Sequence, residues 1–160
     1  MVREDAVDFE TGKRKVIEAI GRVESKPILV GVFGTGNSGK SYLIGQLGDY
    51  FRTRGFEVGC GGSAPGENIF ERIRGNSWFD YSKTLFLLHC GWSRSCAPDG
   101  SYILHDEDPG VMAKRIIRRD IDLAVGIYRP QNWDGIDGEY DVVIRNPDAV
   151  KKPSLTLGLR

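Results

Sequence analysis

Residues Gly34-Thr35-Gly36-Asn37-Ser38-Gly39-Lys40-Ser41 spell G-x-x-x-x-G-K-[ST], and the reading of this octapeptide decides the fold. Its three glycines allow the backbone to wrap a polyphosphate without side-chain clash, so that successive N–H groups point inward as an anion nest. Lys40 can reach the β and γ phosphates of a nucleotide, and the Ser41 hydroxyl can sit on a Mg²⁺ ion. The helix that follows offers its positive N-terminal end to the same phosphates. The candidate nucleotide-binding residues are therefore Gly34, Thr35, Gly36, Asn37, Ser38, Gly39, Lys40, Ser41 and Tyr42, with Ser41 as the magnesium ligand and Lys40 as a catalytic cation.

The flanks agree with this reading. Upstream, Pro27-Ile28-Leu29-Val30-Gly31-Val32-Phe33 is a short apolar run rich in β-branched residues, as a buried parallel strand requires. Downstream, Tyr42, Leu43, Leu47, Tyr50 and Phe51 recur at helical spacing as far as Arg54-Gly55, where Gly55 is a plausible C′ stop. Strand, glycine-rich turn and helix come in the order that phosphate binding needs.

Bulk properties bound the rest. The 160 residues fit one domain, residues 1–160, with residues 1–25 as an N-terminal helical extension. At this length about 70 % of the unfolded surface is buried on folding, enough for a real core. Lys plus Arg and Asp plus Glu are both 22, so no global charge argues for nucleic acid or an anionic membrane. No apolar stretch approaches the roughly 20 residues of a membrane span, and Met1-Val2-Arg3-Glu4-Asp5 lacks the apolar core of a signal peptide. Three cysteines suit reduced thiols, and the expected location is cytoplasmic.

Further elements follow from hydrophobic patterning. Phe9, Val16, Ile17, Ile20 and Val23 give residues 8–24 the pattern of an amphipathic helix. Strands are expected at Phe56 to Cys60, Thr84 to His89, Ser101 to His105, Leu123 to Tyr128 and Tyr140 to Ile144. Short helices are expected at Glu67 to Gly75 and Asp148 to Lys152, and a basic helix at Val111 to Ile121. Strands alternating with helices predict a three-layer α/β/α domain around a mainly parallel five-stranded sheet. Ligands of such sheets bind beyond the carboxyl ends of the strands, where the glycine loop lies.

A second constellation follows the strand at Ser101 to His105. Asp106-Glu107-Asp108 leads through Pro109-Gly110 into a helix bearing Lys114, Arg115, Arg118 and Arg119. Arginine forks suit the charge of a transferring phosphoryl group, so this helix is a candidate phosphate lid. Taken alone, the segment reads rather as a solvated basic face pairing with neighbouring carboxylates, because charge runs favour that plainer reading.

Together these segments resemble the uridine-kinase-like and phosphoribulokinase-like group of P-loop kinases. There an apolar strand ends in Asp-x-Asp and is followed by an Arg-rich helix, as in Asp106 to Asp120 here. Lys26 to Val32 resembles that group's first strand, and Tyr140 to Asn146 its last. The resemblance implies a P-loop NTPase fold, ATP or GTP with Mg²⁺ as cofactors, and a small hydroxyl or phosphate acceptor. It also implies that Arg115 and Arg119 are catalytic lid arginines.

Three departures bear on the chemistry. No Asp follows the second strand to serve as base; Gly61-Gly62-Ser63-Ala64-Pro65-Gly66 stands there, with Glu67 and Asp80 the nearest carboxylates. The strand Thr84 to His89 runs into Cys90, where an acidic residue on the magnesium side is expected. The chain is also some tens of residues shorter than is usual for the group.

Other candidates are weaker. His89, Cys90, Cys96 and His105 could supply a tetrahedral zinc site, but His89 and Cys90 are adjacent on a strand and point to opposite faces, which favours ordinary buried thiols. Gly91 to Cys96 reads as a loop that lines an acceptor pocket or anchors Trp92 at the surface. Trp78, Phe79 and Trp133 could stack on a base or belong to the core. A nucleotide-dependent switch, a cofactor-biosynthesis adaptor and a kinase-like protein without turnover remain alternatives. The N-K-x-D motif of a guanine site is absent, and Asn146-Pro147-Asp148 only partly evokes it.

Overall fold

The computed structural model describes residues 4–25, 27–34, 38–62, 73, 83–90, 93–96, 102–105, 121–130 and 138–147. Its elements are α1 (Phe9–Gly21), β1 (Ile28–Gly34), α2 (Lys40–Arg52), β2 (Glu57–Gly62), β3 (Thr84–Cys90), β4 (Ser93–Cys96), β5 (Tyr102–His105), β6 (Leu123–Tyr128) and β7 (Val142–Arg145). Five strands form one sheet in the order β2-β3-β1-β6-β7, and every pairing in it is parallel. This is an α/β fold with a parallel five-stranded sheet and two described helices, as the alternation of patterns predicts.

The central strands are the apolar runs. Every residue of β1 and β6 is buried, because parallel strands are covered on both faces and gain nothing from polar alternation. Side chains alternate across the sheet. Ile28, Val30 and Val32 join Leu85, Leu87, Val125 and Ile127 on one face, packed against both helices. Leu29 and Phe33 join Leu88, Cys90, Ala124, Tyr128 and Val143 on the other.

Both helices lie on the first face. α2 buries Leu43, Ile44, Leu47, Gly48 and Phe51, one stripe at i, i+3, i+4 spacing. It ends at C-cap Thr53, with Gly55 at φ +87°, and Phe56 turns back to pack edge-on against Phe51 at 5.5 Å. The expected stop at Gly55 thus lies two residues beyond the cap. α1 begins at N-cap Asp8, whose carboxylate accepts from the Thr11 N–H at 2.7 Å. That bond holds the exposed Asp8 carboxyl below its ordinary range. α1 buries Val16 and Ile20 in the same core. Ahead of it, Val7 bridges to Ile144 of β7, its N–H donating to Val143 and its carbonyl accepting from Arg145.

Two aspartates fasten the amino ends of the strands by one device. Asp122 accepts from the Leu29 N–H at 2.7 Å and from the Ser25 hydroxyl at 2.6 Å, while its own N–H donates to the Leu29 carbonyl. Asp141 does the same to Ala124, accepting at 2.8 Å and donating at 2.8 Å.

Three expectations need correction. Residues 93–96 form a strand rather than part of a loop, and 102–105 pairs antiparallel with it in a separate two-stranded ladder, outside the parallel sheet. Ser93-Arg94-Ser95-Cys96 carries no apolar alternation, so its pairing is invisible until the partner strand is known. The last strand starts at Val142 rather than Tyr140, because Asp141 is occupied in clasping β6. The expected helices at Glu67 to Gly75 (apart from Ile73), Val111 to Ile121 (apart from Ile121) and Asp148 to Lys152 lie outside the described residues.

Candidate functional site

The sheet order places a crossover point at its carboxyl end, where folds of this kind carry a crevice. From β1 the chain crosses by way of α2 to β2 on one side, whereas β6 leads to β7 on the other. Such a reversal between neighbouring strands opens a ligand site beyond their ends. Gly34, Ser38, Gly39 and Lys40 stand at that point, at the end of β1 and the start of α2.

Gly34 closes β1 opposite Ile127. A Cβ built on it would lie 2.6 Å from the Ile127 carbonyl oxygen and 2.8 Å from Ser38 Oγ, so only glycine allows the chain to turn so close to β6. Gly39 is the N-cap of α2 at φ +100°, and no side chain caps the helix. Its carbonyl accepts from Leu43 N–H at 2.9 Å, the first bond of the helix. The N-terminal end of α2 therefore presents its partial positive charge at the crevice.

Lys40 folds back into the turn. The residue is 4 % exposed, and its ammonium donates to the Gly34 carbonyl at 2.9 Å. Burial lowers its pKa from 10.5 to about 8, and the charge of a Cys90 thiolate acts in the opposite direction. Cys90 ends β3 beside Phe33 of β1 and is fully buried, its thiol directed at the Leu88 carbonyl. Ser41 is exposed on the first turn of α2 and Tyr42 is half-buried, its ring against Phe9 at 5.5 Å. The contact to Phe9 gives Tyr42 a part in joining the two helices.

Among the described residues, three buried polar atoms at this end of the sheet have no hydrogen-bond partner: Ser38 Oγ, the Tyr128 hydroxyl and Arg129 Nε. Ser38 is 1 % exposed. Asn146, which follows β7, spans the crevice from the other side. Its side-chain Nδ2 donates to the Ser38 carbonyl at 3.0 Å, and its N–H donates to the Tyr128 carbonyl at 2.8 Å.

The sequence-predicted residues thus divide. Gly34, Ser38, Gly39, Lys40, Ser41 and Tyr42 share the turn and first helical residues, whereas Thr35, Gly36, Asn37, Arg115 and Arg119 lie outside the described residues. So do Glu67, Asp80, Trp78, Phe79, Trp92 and Trp133. Among the described residues no group of three or more His, Cys, Asp and Glu could hold a metal ion. In the β4–β5 ladder Cys96 pairs with Tyr102 and His105 with Ser93, which sets Cys96 and His105 at opposite ends. No described helix is long and apolar enough to cross a membrane.

No family model matches the chain, and neither a curated protein nor a solved structure does. Sequence reasoning missed Arg129 and Tyr128 as site residues, and it saw Asn146 only at the end of the last strand and as a fragment of a guanine motif. A search for polar residues within two positions after each predicted strand would have found Arg129 and Asn146, because parallel sheets place those positions together.

Proposed function

We propose that this chain is a nucleoside-triphosphate-binding protein of the P-loop kinase type, with a three-layer α/β/α fold. Its reaction is transfer of the γ-phosphoryl group of ATP, or GTP, to a small hydroxyl or phosphate acceptor in the cytoplasm. The observation that carries this reading is Lys40, buried and folded onto Gly34 at the uncapped N-terminal end of α2. A buried ammonium with a lowered pKa beside a helix N-terminus is costly to maintain and fits an anion that repays its desolvation. The unpartnered Ser38 hydroxyl supports a polar ligand at the same point.

In this reading Lys40 leaves the Gly34 carbonyl for the β and γ phosphates, and backbone N–H groups of the turn hold the remaining oxygens. Arg115 and Arg119 close over the transferring group. Ser41, exposed on the first helical turn, suits a hard cation through its hydroxyl. Bound there, Mg²⁺ would neutralise charge on the phosphates during transfer.

One observation favours a second reading, nucleotide binding without phosphoryl transfer. β3 ends in the buried Cys90, where a magnesium-side carboxylate would be expected, and without that ligand the turn would hold a cation less tightly. Calorimetry with ATP and GTP on wild type and Lys40→Ala tests the common core. Equal affinities for the two proteins would reject nucleotide binding at this turn altogether. A panel of nucleosides and small alcohols then separates the readings. ATP consumption that depends on one acceptor selects the kinase, and binding without consumption selects the switch or adaptor.

A further inference from the structure

Asn146 stands 108 residues from Ser38 in sequence, and its side-chain amide donates to the Ser38 carbonyl at 3.0 Å. The Ser38 carbonyl and the Gly39 N–H belong to one trans peptide, in which the two groups point in opposite directions. Whatever holds the carbonyl outward therefore aims the N–H inward. We propose that Asn146 is a positioning residue for the phosphate-binding turn: by gripping the Ser38 carbonyl it orients the Gly39 N–H toward a polyphosphate. This rests on the reading of the turn as a phosphate site.

Asn146 is built for that task. It is 6 % exposed, and its backbone N–H is fixed to the Tyr128 carbonyl at 2.8 Å, so the side chain starts from an anchored Cα. The preceding residues are held on their outer side by Val7, which bonds to Val143 and Arg145. The amide also fills the only space in which a Cβ at position 39 could stand, 2.5 Å from Nδ2. Gly39 at φ +100° is a backbone state that other residues rarely adopt, and an outside grip on the adjoining carbonyl keeps it there. The same contact couples β7 to the turn, so displacement of β7 would misalign a phosphate donor without touching the ligand.

The test uses the full chain, with inorganic pyrophosphate and ATP as probes, in wild type, Asn146→Asp and Asn146→Ala. Asn146→Asp keeps the shape but replaces the donor by an acceptor facing the Ser38 carbonyl. Both substitutions are expected to weaken pyrophosphate and ATP binding tenfold or more. In NMR spectra of the wild type, the Gly39 amide proton moves downfield on addition of pyrophosphate, and in the variants that movement shrinks. A purely structural role would lower stability to urea but leave both the affinity and the Gly39 response intact. Variant affinities within twofold of wild type would overturn the proposal while sparing the phosphate site. So would a wild-type Gly39 amide that ignores bound pyrophosphate, and this measurement stands even if both variants fail to fold. Wild type that binds neither probe would overturn this proposal and the proposed function together.

Discussion

The Lys40 ammonium donates to the carbonyl oxygen of Gly34 at 2.9 Å, closing the glycine-rich turn with its own cation. Burial sets the Lys40 pKa at about 8, below the ordinary 10.5. Between these values the unfolded chain holds more protons than the folded one, so this group makes stability rise with pH from about 8 to 10.5. Below pH 8 the folded state carries a penalty of the order of 3 kcal/mol for the buried charge. Lys40→Met should therefore flatten the rise in urea stability between pH 8 and 10 and abolish pyrophosphate binding. In the wild type, binding of ATP, whose triphosphate is already fully ionised at pH 8.5, should take up a fraction of a proton there, measured by calorimetry in buffers of different ionisation enthalpy. Identical pH slopes in wild type and Lys40→Met would remove the basis of this account.

Ser38 supplies an opposite sign for stability and binding. Its hydroxyl is buried without a partner in the free protein, a state that costs roughly 1–3 kcal/mol relative to a satisfied group. Ser38→Ala deletes that atom and leaves the carbonyl that Asn146 grips. The free protein should gain about 1 kcal/mol, a rise of roughly 2–4 °C in Tm, while ATP affinity falls several-fold. A variant that loses stability would show that the hydroxyl serves the fold rather than a ligand.

Much of this site is legible in the sequence, and the boundary has a physical cause. β1, β6 and α2 announce themselves because burial on both faces, or on one helical stripe, writes a local apolar pattern. Gly34, Gly39 and Lys40 are legible because one turn imposes fixed spacings on neighbouring residues. β2 continues through Gly61 and Gly62, which have little strand propensity and are held there by Leu88 and His89 of β3. Asn146 and Ser38 meet only because β6 and β7 stack beside β1 in register, which is a property of topology and leaves no mark at either position.

Gly39 and Asn146 should be energetically coupled. Gly39→Ala forces an L side chain to φ +100° and puts its Cβ 2.5 Å from Asn146 Nδ2. The expected cost is about 3 kcal/mol, from backbone strain of roughly 1–3 kcal/mol together with displacement of the amide. In an Asn146→Ala background the displacement disappears and only the strain remains. The cost of Gly39→Ala should then fall by about 1 kcal/mol, beyond the 0.3–0.5 kcal/mol scatter of independent sites. Strict additivity in urea unfolding would place the two residues apart in solution.

Asp122 tests the separation of fold from site. It joins β6 to β1 through the Leu29 N–H and Ser25, at the amino end of strands whose carboxyl ends carry the glycine-rich turn. Asp122→Ala leaves the part-buried Leu29 N–H without its acceptor, at a cost of about 2 kcal/mol. For a domain of 160 residues that corresponds to a Tm lower by about 4–8 °C. The carboxylate lies one strand length, about 20 Å at 3.3 Å per residue, from the turn. Pyrophosphate affinity well below the melting transition should therefore be unchanged. Asp122→Asn, which keeps one acceptor oxygen, should recover part of the lost stability. A fall in pyrophosphate affinity matching the loss of stability would show instead that the β1–β6 spacing at its amino end is transmitted to the crevice at the other.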